Sequence, residues 1–474
     1  MRNITRFGLA ALLVTSVAGL AGAQNRDGGN KPSIGPTPTP PAAAAATTDS
    51  TDKAAQKTTR ASLYRPFEIN HFRPADQRGV NVFEAPKDDQ VPFTGFALSF
   101  GGAFTQEFQG LDHQNQATAV MTGTPAVNAN QLITIGHGFN NAVANLNVNA
   151  QIAPGIRVAM TSYLSARHHQ ETWVKDGYLL IDASPIDNPL LNAVMKYTTL
   201  RVGHFEINYG DSHFRRSDNG NSMYNPFVGN TILDVFTTEI GAEVYARSNG
   251  LIAMLGATGG EVHGQVTAPE KRSMSVLGKV GFDESLGDNL RFRLTGSFYA
   301  NNKAASNTLL TGDRGGSAYY SILENTASTE TANAWSGQIR PGFSNKVNAE
   351  VINPFIKVGG AEFFGSFETI TGGAFTEPKL RTLHQNVYEG LYRLGSGDQF
   401  YVGARYNTLK GQLIAKNYAD QTAKRYQVGG GWFVTPNVLA KLEYVNQKYL
   451  DFPTTDIRYG GQFKGFMISG AVGF

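Results

Sequence analysis

The chain has no cysteine among its 474 residues. That excludes a disulfide framework, a lipid-modified cysteine anchor and a thiolate zinc site. Past residue 23 there is no run of about eighteen apolar residues, so no membrane-spanning helix is expected there. Charge is also sparse and balanced, with 41 Lys plus Arg against 38 Asp plus Glu. Nothing in that balance points to nucleic acid or to a strongly acidic partner. G-x-S-x-G, H-E-x-x-H and a phosphate-binding Gly-Lys loop are all missing. No cofactor and no metal is implied, and enzymatic activity is not expected.

Glycine and aromatics are abundant instead, with 53 Gly, 29 Phe and 19 Tyr. That mixture suits many short strands and tight turns better than helices. The first stretch, MRNITRFGLAALLVTSVAGLAGAQ, has Arg2 and Arg6, an apolar run and a small-x-small site at Ala21-Gly22-Ala23. Residues 1–23 are therefore expected to be a cleaved secretory signal peptide. Residues 24–61 are rich in Pro, Ala, Thr and Ser and hold almost no large apolar side chain. Such a segment cannot bury enough surface to offset ordering, so a disordered linker is expected. Residues 62–92 carry Tyr64, Phe67, Phe72 and Phe83. They suit a periplasmic segment that rests against, or plugs, the mouth of a barrel.

From residue 93 to 474 alternation with period two recurs. Leu290, Phe292, Leu294 and Phe298 oppose Arg291, Arg293, Thr295 and Ser297. Phe400, Val402, Ala404 and Tyr406 oppose Gln399, Arg405 and Asn407, and Val438, Ala440, Leu442 and Tyr444 oppose Lys441, Glu443 and Gln447. Connections at 153–155, 248–250, 284–289, 395–398 and 435–437 are short. Those at 112–135, 211–236, 302–350 and 411–423 are long and polar. Short turns at one end and long loops at the other predict an all-β, transmembrane antiparallel β-barrel of the outer-membrane kind. The predicted strands are 93–111, 136–152, 156–167, 172–183, 197–210, 237–247, 250–259, 272–284, 289–301, 351–359, 361–372, 380–394, 399–411, 424–435, 438–450 and 459–474. That is about sixteen, which places both barrel ends in the periplasm. The weakest is 351–359, because Pro354 removes a ladder donor. A strand at 319–323 is the competing assignment, so fourteen or eighteen strands stay open.

The closing stretch, FKGFMISGAVGF, puts Phe466, Ile468, Val472 and Phe474 on one oily face and Met467, Ser469 and Ala471 on the other. Lipid is the expected partner of the oily face. Trp432, Tyr444 and Phe474 suit interfacial girdles. A terminal amphipathic strand ending in Phe also resembles the signal read by the outer-membrane assembly machinery. That resemblance makes Phe466, Ile468, Val472 and Phe474 candidate assembly residues.

Inward positions carry Arg157, Arg167, Lys279, Arg291, Arg293, Arg405, Arg425 and Lys441 against Asp176, Asp182, Glu206, Glu239, Glu243, Asp283, Glu362, Glu368 and Glu443. The signs nearly cancel, so no selectivity field follows. Two side-chain sets with catalytic residue types, His168-His169 and Asp211 with His213, lack any local motif. A rim-site hydrolase is accordingly the least favoured alternative.

The stretch DGYLLIDASPIDNPLLNAVMKYTTLRVGHFEINYGDSHFRRS (176–217), with LRVGHFEINYG at 200–210 and TTEIGAEVYA at 237–246, resembles the phosphate-selective porin O and P superfamily. The resemblance implies a sixteen-stranded, usually homotrimeric porin, a passive channel for small hydrophilic solutes or ions. It also implies that the third extracellular loop, here 211–236, folds inward. Arg215 and Arg216 would then face Glu206, Glu239 and Glu243 across a constriction. A barrel plugged by 62–92 or by 302–350, structural or adhesive in role, is the alternative.

Overall fold

A computed structural model of the chain describes residues 72–84, 93, 95–168, 172–260, 272–287 and 289–474. The chain divides into two units, Met1–Arg65 and Pro66–Phe474, and all described residues belong to the second. The expected signal peptide, the linker and most of 62–92 lie outside the described residues.

Sixteen strands form one closed antiparallel barrel. In chain order they are β1 Ala97–Gln114, β2 Gly138–Ala153, β3 Ile156–Ser165, β4 Thr172–Ile181, β5 Thr198–Glu206, β6 Thr238–Ser248, β7 Leu251–Thr258 and β8 Ser275–Leu286. They continue as β9 Leu290–Asn301, β10 Lys346–Val358, β11 Ala361–Gly373, β12 Arg381–Leu394, β13 Phe400–Gly411, β14 Gln421–Thr435, β15 Val438–Leu450 and β16 Gln462–Gly473. Each pairs with its sequence neighbour, and β16 closes on β1 with Phe104 opposite Val472. Phe474 adds a last rung. Its N–H donates to Gly102 O at 3.0 Å and its carbonyl accepts from Gly102 N at 2.9 Å. Closure leaves no free sheet edge, which a lipid-facing sheet requires.

The sixteen predicted strands all occur, and 319–323 is not one of them. β10 tolerates Pro354 because the ladder toward β11 breaks there. Ile352 faces Phe367, the next rung is Phe355 with Phe364, and the residues between are unpaired. Asn353 Nδ2 donates to Gly365 O at 3.1 Å inside that gap. A side chain at 365 would meet Pro354 Cγ at 3.0 Å, so glycine lets the ring fit.

Alternation sorts the two faces as the sequence predicts. Leu146, Leu294, Val402, Leu442, Phe466, Ile468 and Phe474 are exposed on the outer wall, while Arg293, Arg405, Lys441 and Glu443 are buried on the inner one. Outer aromatics meet across strands. Phe400 stacks on Trp432 at 5.9 Å near the short-turn end. Farther toward the long loops, Tyr406 stacks on Tyr426 at 4.6 Å and Tyr444 lies 5.2 Å from Phe466. No described helix is long and apolar enough to cross a membrane, which says nothing about strands.

Candidate functional site

The loop between β5 and β6 is almost wholly buried, with Val228, Ile232 and Leu233 at 0% exposure. Its tip is a tight Asn219-Gly220 turn, closed by reciprocal backbone bonds of 2.9 Å between Asp218 and Asn221. Asn219 takes the left-handed φ of 51° that such turns need. The tip rests on β1 and β2: Thr105 Oγ1 donates to Gly220 O at 2.7 Å and Gly220 N to Asn145 Oδ1 at 3.1 Å. Only glycine fits, since a Cβ there would stand 2.5 Å from Ala144 Cα.

Other parts of the same loop reach the far strands. Val228 N donates to Glu443 Oε2 on β15 at 2.7 Å, and Ile232 N to Asn407 Oδ1 on β13 at 2.6 Å. Leu233 N donates to Gln385 Oε1 on β12 at 2.9 Å. Lys441 on β15 donates to three loop carbonyls, Ser222 at 2.9 Å, Phe227 at 3.0 Å and Asn225 at 3.3 Å. Arg425 reaches Asn230 O and donates to Gly337 O at 2.7 Å, the latter in the 302–345 loop. That second loop supplies Tyr319, whose hydroxyl donates to Glu443 Oε1 at 2.7 Å. Val228, Ile232, Leu233, Leu309, Tyr319 and Ile339 join wall residues such as Leu111 and Leu409 in one apolar cluster.

The two loop arginines diverge. Arg215 pairs with Glu389 on β12, lies 3.9 Å from Glu362 and reaches Asn81. Arg405 on β13 grips the same Glu389 at 2.7 Å and donates to Gly229 O at 2.9 Å. Arg216 forks onto Asp234 at 2.8 and 2.7 Å and stands 3.4 Å from Asp313. Three of the carboxylates named beside the pair come from elsewhere than these partners: Glu206 binds Lys175 at 3.3 Å, Glu243 binds Arg201, and Glu239 accepts from the Tyr299 hydroxyl at 2.7 Å.

Asp211 and His213, two positions apart in sequence, take different hydrogen-bond partners. Asp211 accepts from Arg293 at 2.8 Å, Thr295 Oγ1 at 2.7 Å and Lys279 at 3.0 Å. Burial opposes its charge, yet Lys279 and Arg293 hold its carboxyl below the usual carboxylate range. The ring of His213 meets Asn208 Oδ1 at 2.9 Å and lies 3.6 Å from Glu206. Arg291 forks onto Asp283 at 2.8 and 2.7 Å. His169 lies outside the described residues.

Residues 72–84 join the same network. Arg73 donates to Phe214 O at 2.8 Å, Gln77 N to Pro436 O at 2.8 Å in a short turn, and Glu84 lies 2.8 Å from Arg293 and 3.2 Å from Lys279. The internal cavities between loop and wall are small. One beside Arg215, Glu368 and Arg405 measures about 30 Å³, and one beside Glu107 and Ser317 is the same size. Each has room for one or two waters.

Several of these residues escape sequence reasoning. Glu389, Asp234, Asp313, Lys175 and Glu84 anchor the network but carry no motif. Glu389 is hidden because its inward neighbours Val387 and Leu391 are as apolar as the outward ones are aromatic.

No protein-family model matches the chain, and no curated protein matches it. Solved structures of similar shape include OmpT, an outer membrane protein of Vibrio cholerae (TM-score 0.47, 11% identity, covering 80% of this chain and 100% of that one). An anion-selective porin from Comamonas acidovorans gives TM-score 0.46 and 10% identity over 80% and 100% of the two chains. The outer membrane channel DcaP of Acinetobacter baumannii gives 0.46 and 10% over 80% and 98%.

Proposed function

We propose that this chain is an outer-membrane porin, a passive channel for small hydrophilic solutes or ions, whose bore is closed at rest by its own segments. On this reading the loop 211–236 folds inward as the constriction, with Arg215 and Arg216 on it and Arg291, Arg293, Arg405 and Arg425 on the wall. The observation that carries it is the chemistry of the inner wall. A permanent filling gains most from apolar packing against the wall, which packs densely at least cost. Here the wall offers Arg405, Arg425, Lys441 and Glu443, and the loop answers with backbone carbonyls and N–H groups. Water can replace such contacts group for group, so the seal can open onto a hydrated, charged bore. The outer face, apolar and belted with aromatics, suits a bilayer, and homotrimers and the assembly machinery stay the expected partners.

A second reading draws on the apolar cluster of Val228, Ile232, Leu233 and Tyr319, which favours a permanent plug in a structural barrel. Single-channel recording in a planar bilayer separates the two. The porin reading predicts discrete openings, rare at rest and more frequent when loop–wall contacts are cut. A barrel that inserts but never conducts, in wild type or in loop-deleted form, is a structural plug.

A further inference from the structure

The outer wall carries a charged feature that the channel reading leaves unused. Lys410 on β13, Lys424 on β14, Lys448 on β15 and Lys464 on β16 all point outward, three of them exposed and Lys424 half-buried. Their register forms a continuous ladder. Lys424 lies directly opposite Lys448. Lys410 faces Thr422, one diagonal step from Lys424, and Lys464 faces Asn446, one diagonal step from Lys448. Direct partners are about 5 Å apart at Cβ and diagonal ones about 7–8 Å.

Like charges directly opposite destabilise a sheet. None of the four ammonium groups makes an ion pair with a described residue. The nearest acid in register is Asp112, opposite Lys464 at the β1 edge, where it lies 3.9 Å from His137. Asp420 and Asp451 stand in the loops beyond the strands and are exposed. Among the described residues the strip therefore sets four lysines against one carboxylate in register, an excess of positive charge.

Height fixes what neutralises it. Each lysine lies ten residues along its strand from an outward residue at the short-turn end: Phe400, Val434, Val438 and Phe474. At ~3.3 Å per residue and ~40° tilt, that separation is about 25 Å along the barrel axis, the height of an outer-membrane apolar band. Between the two levels the wall is apolar and ends in the aromatic row of Tyr406, Tyr426, Tyr444 and Phe466. Lysine stems there lie along the aromatic row and lift their charges into the headgroup layer.

We infer that the outer wall of β13–β16 is a docking strip for the phosphates of an outer-leaflet glycolipid, a diphosphorylated, multiply acylated disaccharide. A headgroup with two phosphates bridges lysines spaced 5–8 Å apart, and its acyl chains lie on the apolar wall below. The outward side chains at the same level of β2, β3 and β6 are Phe139, Leu164 and Ile240, and Lys346 at the long-loop end of β10 stands apart from the four-strand run. The inference rests on the barrel crossing a membrane with its long loops outside, but not on whether the bore conducts.

The test is binding of fluorescent diphosphoryl lipid A to the purified full chain in non-ionic detergent. The variant is Lys410→Gln, Lys424→Gln, Lys448→Gln, Lys464→Gln, and Lys346→Gln on β10 is the off-strip control. The quadruple variant should lose at least about tenfold in affinity. The four-arginine version should retain binding, the control should match wild type, and monophosphoryl lipid A should bind more weakly. Heat-modifiable gel mobility reports whether each variant is folded. A folded quadruple variant that binds within twofold of wild type overturns the inference. So does equal binding of phosphatidylethanolamine, or displacement of the lipid by millimolar inorganic phosphate, which would mark a free-phosphate site.

Discussion

Glu443, like Arg425 and Gln427, touches both buried loops, and as the carboxylate among them its removal tests the seal most directly. Its Oε2 accepts from Val228 N at 2.7 Å, Gly229 N at 3.3 Å and Gln427 Nε2 at 2.9 Å, and its Oε1 accepts from the Tyr319 hydroxyl at 2.7 Å. Glu443→Leu keeps the volume roughly but strands those donors. Each buried donor left unsatisfied costs about 1–3 kcal/mol, and such losses overlap within one cluster. A total near 3–5 kcal/mol is expected, the range for breaking a buried charged contact by removing one partner. That shifts the docked–undocked balance of the loops by roughly two to three and a half decades. Glu443→Gln is milder. Its carbonyl still serves Val228 N–H, and its amide can donate to the Tyr319 oxygen, which exchanges charge-assisted for neutral bonds at about 1–2 kcal/mol. Single-channel recording should show the open fraction rising about tenfold in Glu443→Gln and far more, to saturation, in Glu443→Leu. Folded, inserted Glu443→Leu protein with the wild-type open fraction would refute the idea that these contacts hold the bore shut.

Arg215→Glu with Arg216→Glu places carboxylates against Glu389 and Asp234, so reversal potentials across a salt gradient should move toward cation preference with altered conductance; unchanged values in inserted protein remove the loop from the pore. Deleting Phe474 removes two backbone bonds to Gly102 and an exposed aromatic, and surface levels should fall, more than for Phe474→Ala, which keeps the rung; equal levels for all three proteins count against an assembly role. Asp313 gives a pH dependence: burial pushes its carboxyl up to about 6, Arg216 opposing and Asp218 and Asp234 adding to the rise. The folded state then holds a proton that the unfolded state has lost, so this contribution is full below about pH 4 and is lost as pH rises through 6. The thermal midpoint should fall between pH 5 and 7.5, with a shallower slope in Asp313→Asn; Glu324, pushed by burial up to about 7, needs the parallel Glu324→Gln control. An unchanged slope in both variants removes these carboxyls as the cause.

The barrel was legible because its signal repeats. One strand such as Leu290–Asn301 has only a handful of alternating positions, but sixteen of them with turns of two lengths leave few other folds. Even Pro354, an argument against a strand, sits where the ladder gap makes room for it. The interior was less legible because packing there is not periodic. Alternation identified Arg405 and Glu443 as inward but gave no sign of which loop atom each would meet. Glu389 pairs with Arg215 across 174 residues, a separation that only the closed barrel brings together, and Asp234 pairs with Arg216 across 18 residues within the folded loop. The family resemblance pointed to the loop and set Arg215 and Arg216 against Glu206, Glu239 and Glu243, whereas their closest ion pairs are with Glu389, Asp234 and Asp313.

The choice of groups in the loop–wall contact bears on why a barrel would carry so long a loop between β5 and β6. Lys441 and Arg425 mostly bind loop carbonyls, Arg405 divides its donors between Gly229 O, Asn225 Oδ1 and the wall's Glu389, and Glu443 binds loop N–H groups. Backbone groups are present whatever the side chain, so the loop sequence is free to vary between them while the wall keeps its grip. Wall charges so occupied are solvated in place by backbone dipoles. On the proposed porin reading, a loop that leaves would expose Lys441 and Arg425 to water while Arg405 keeps its wall partner Glu389, and the bore would gain the charge that solutes sense and the hydration that stabilises the open state. On that reading closure and selectivity draw on one set of residues, and a substitution such as Lys441→Met should change both together: more frequent opening, because three carbonyls lose their donor, and an open-state ion preference shifted toward cations. A variant that altered one of these without the other would separate the seal from the selectivity wall.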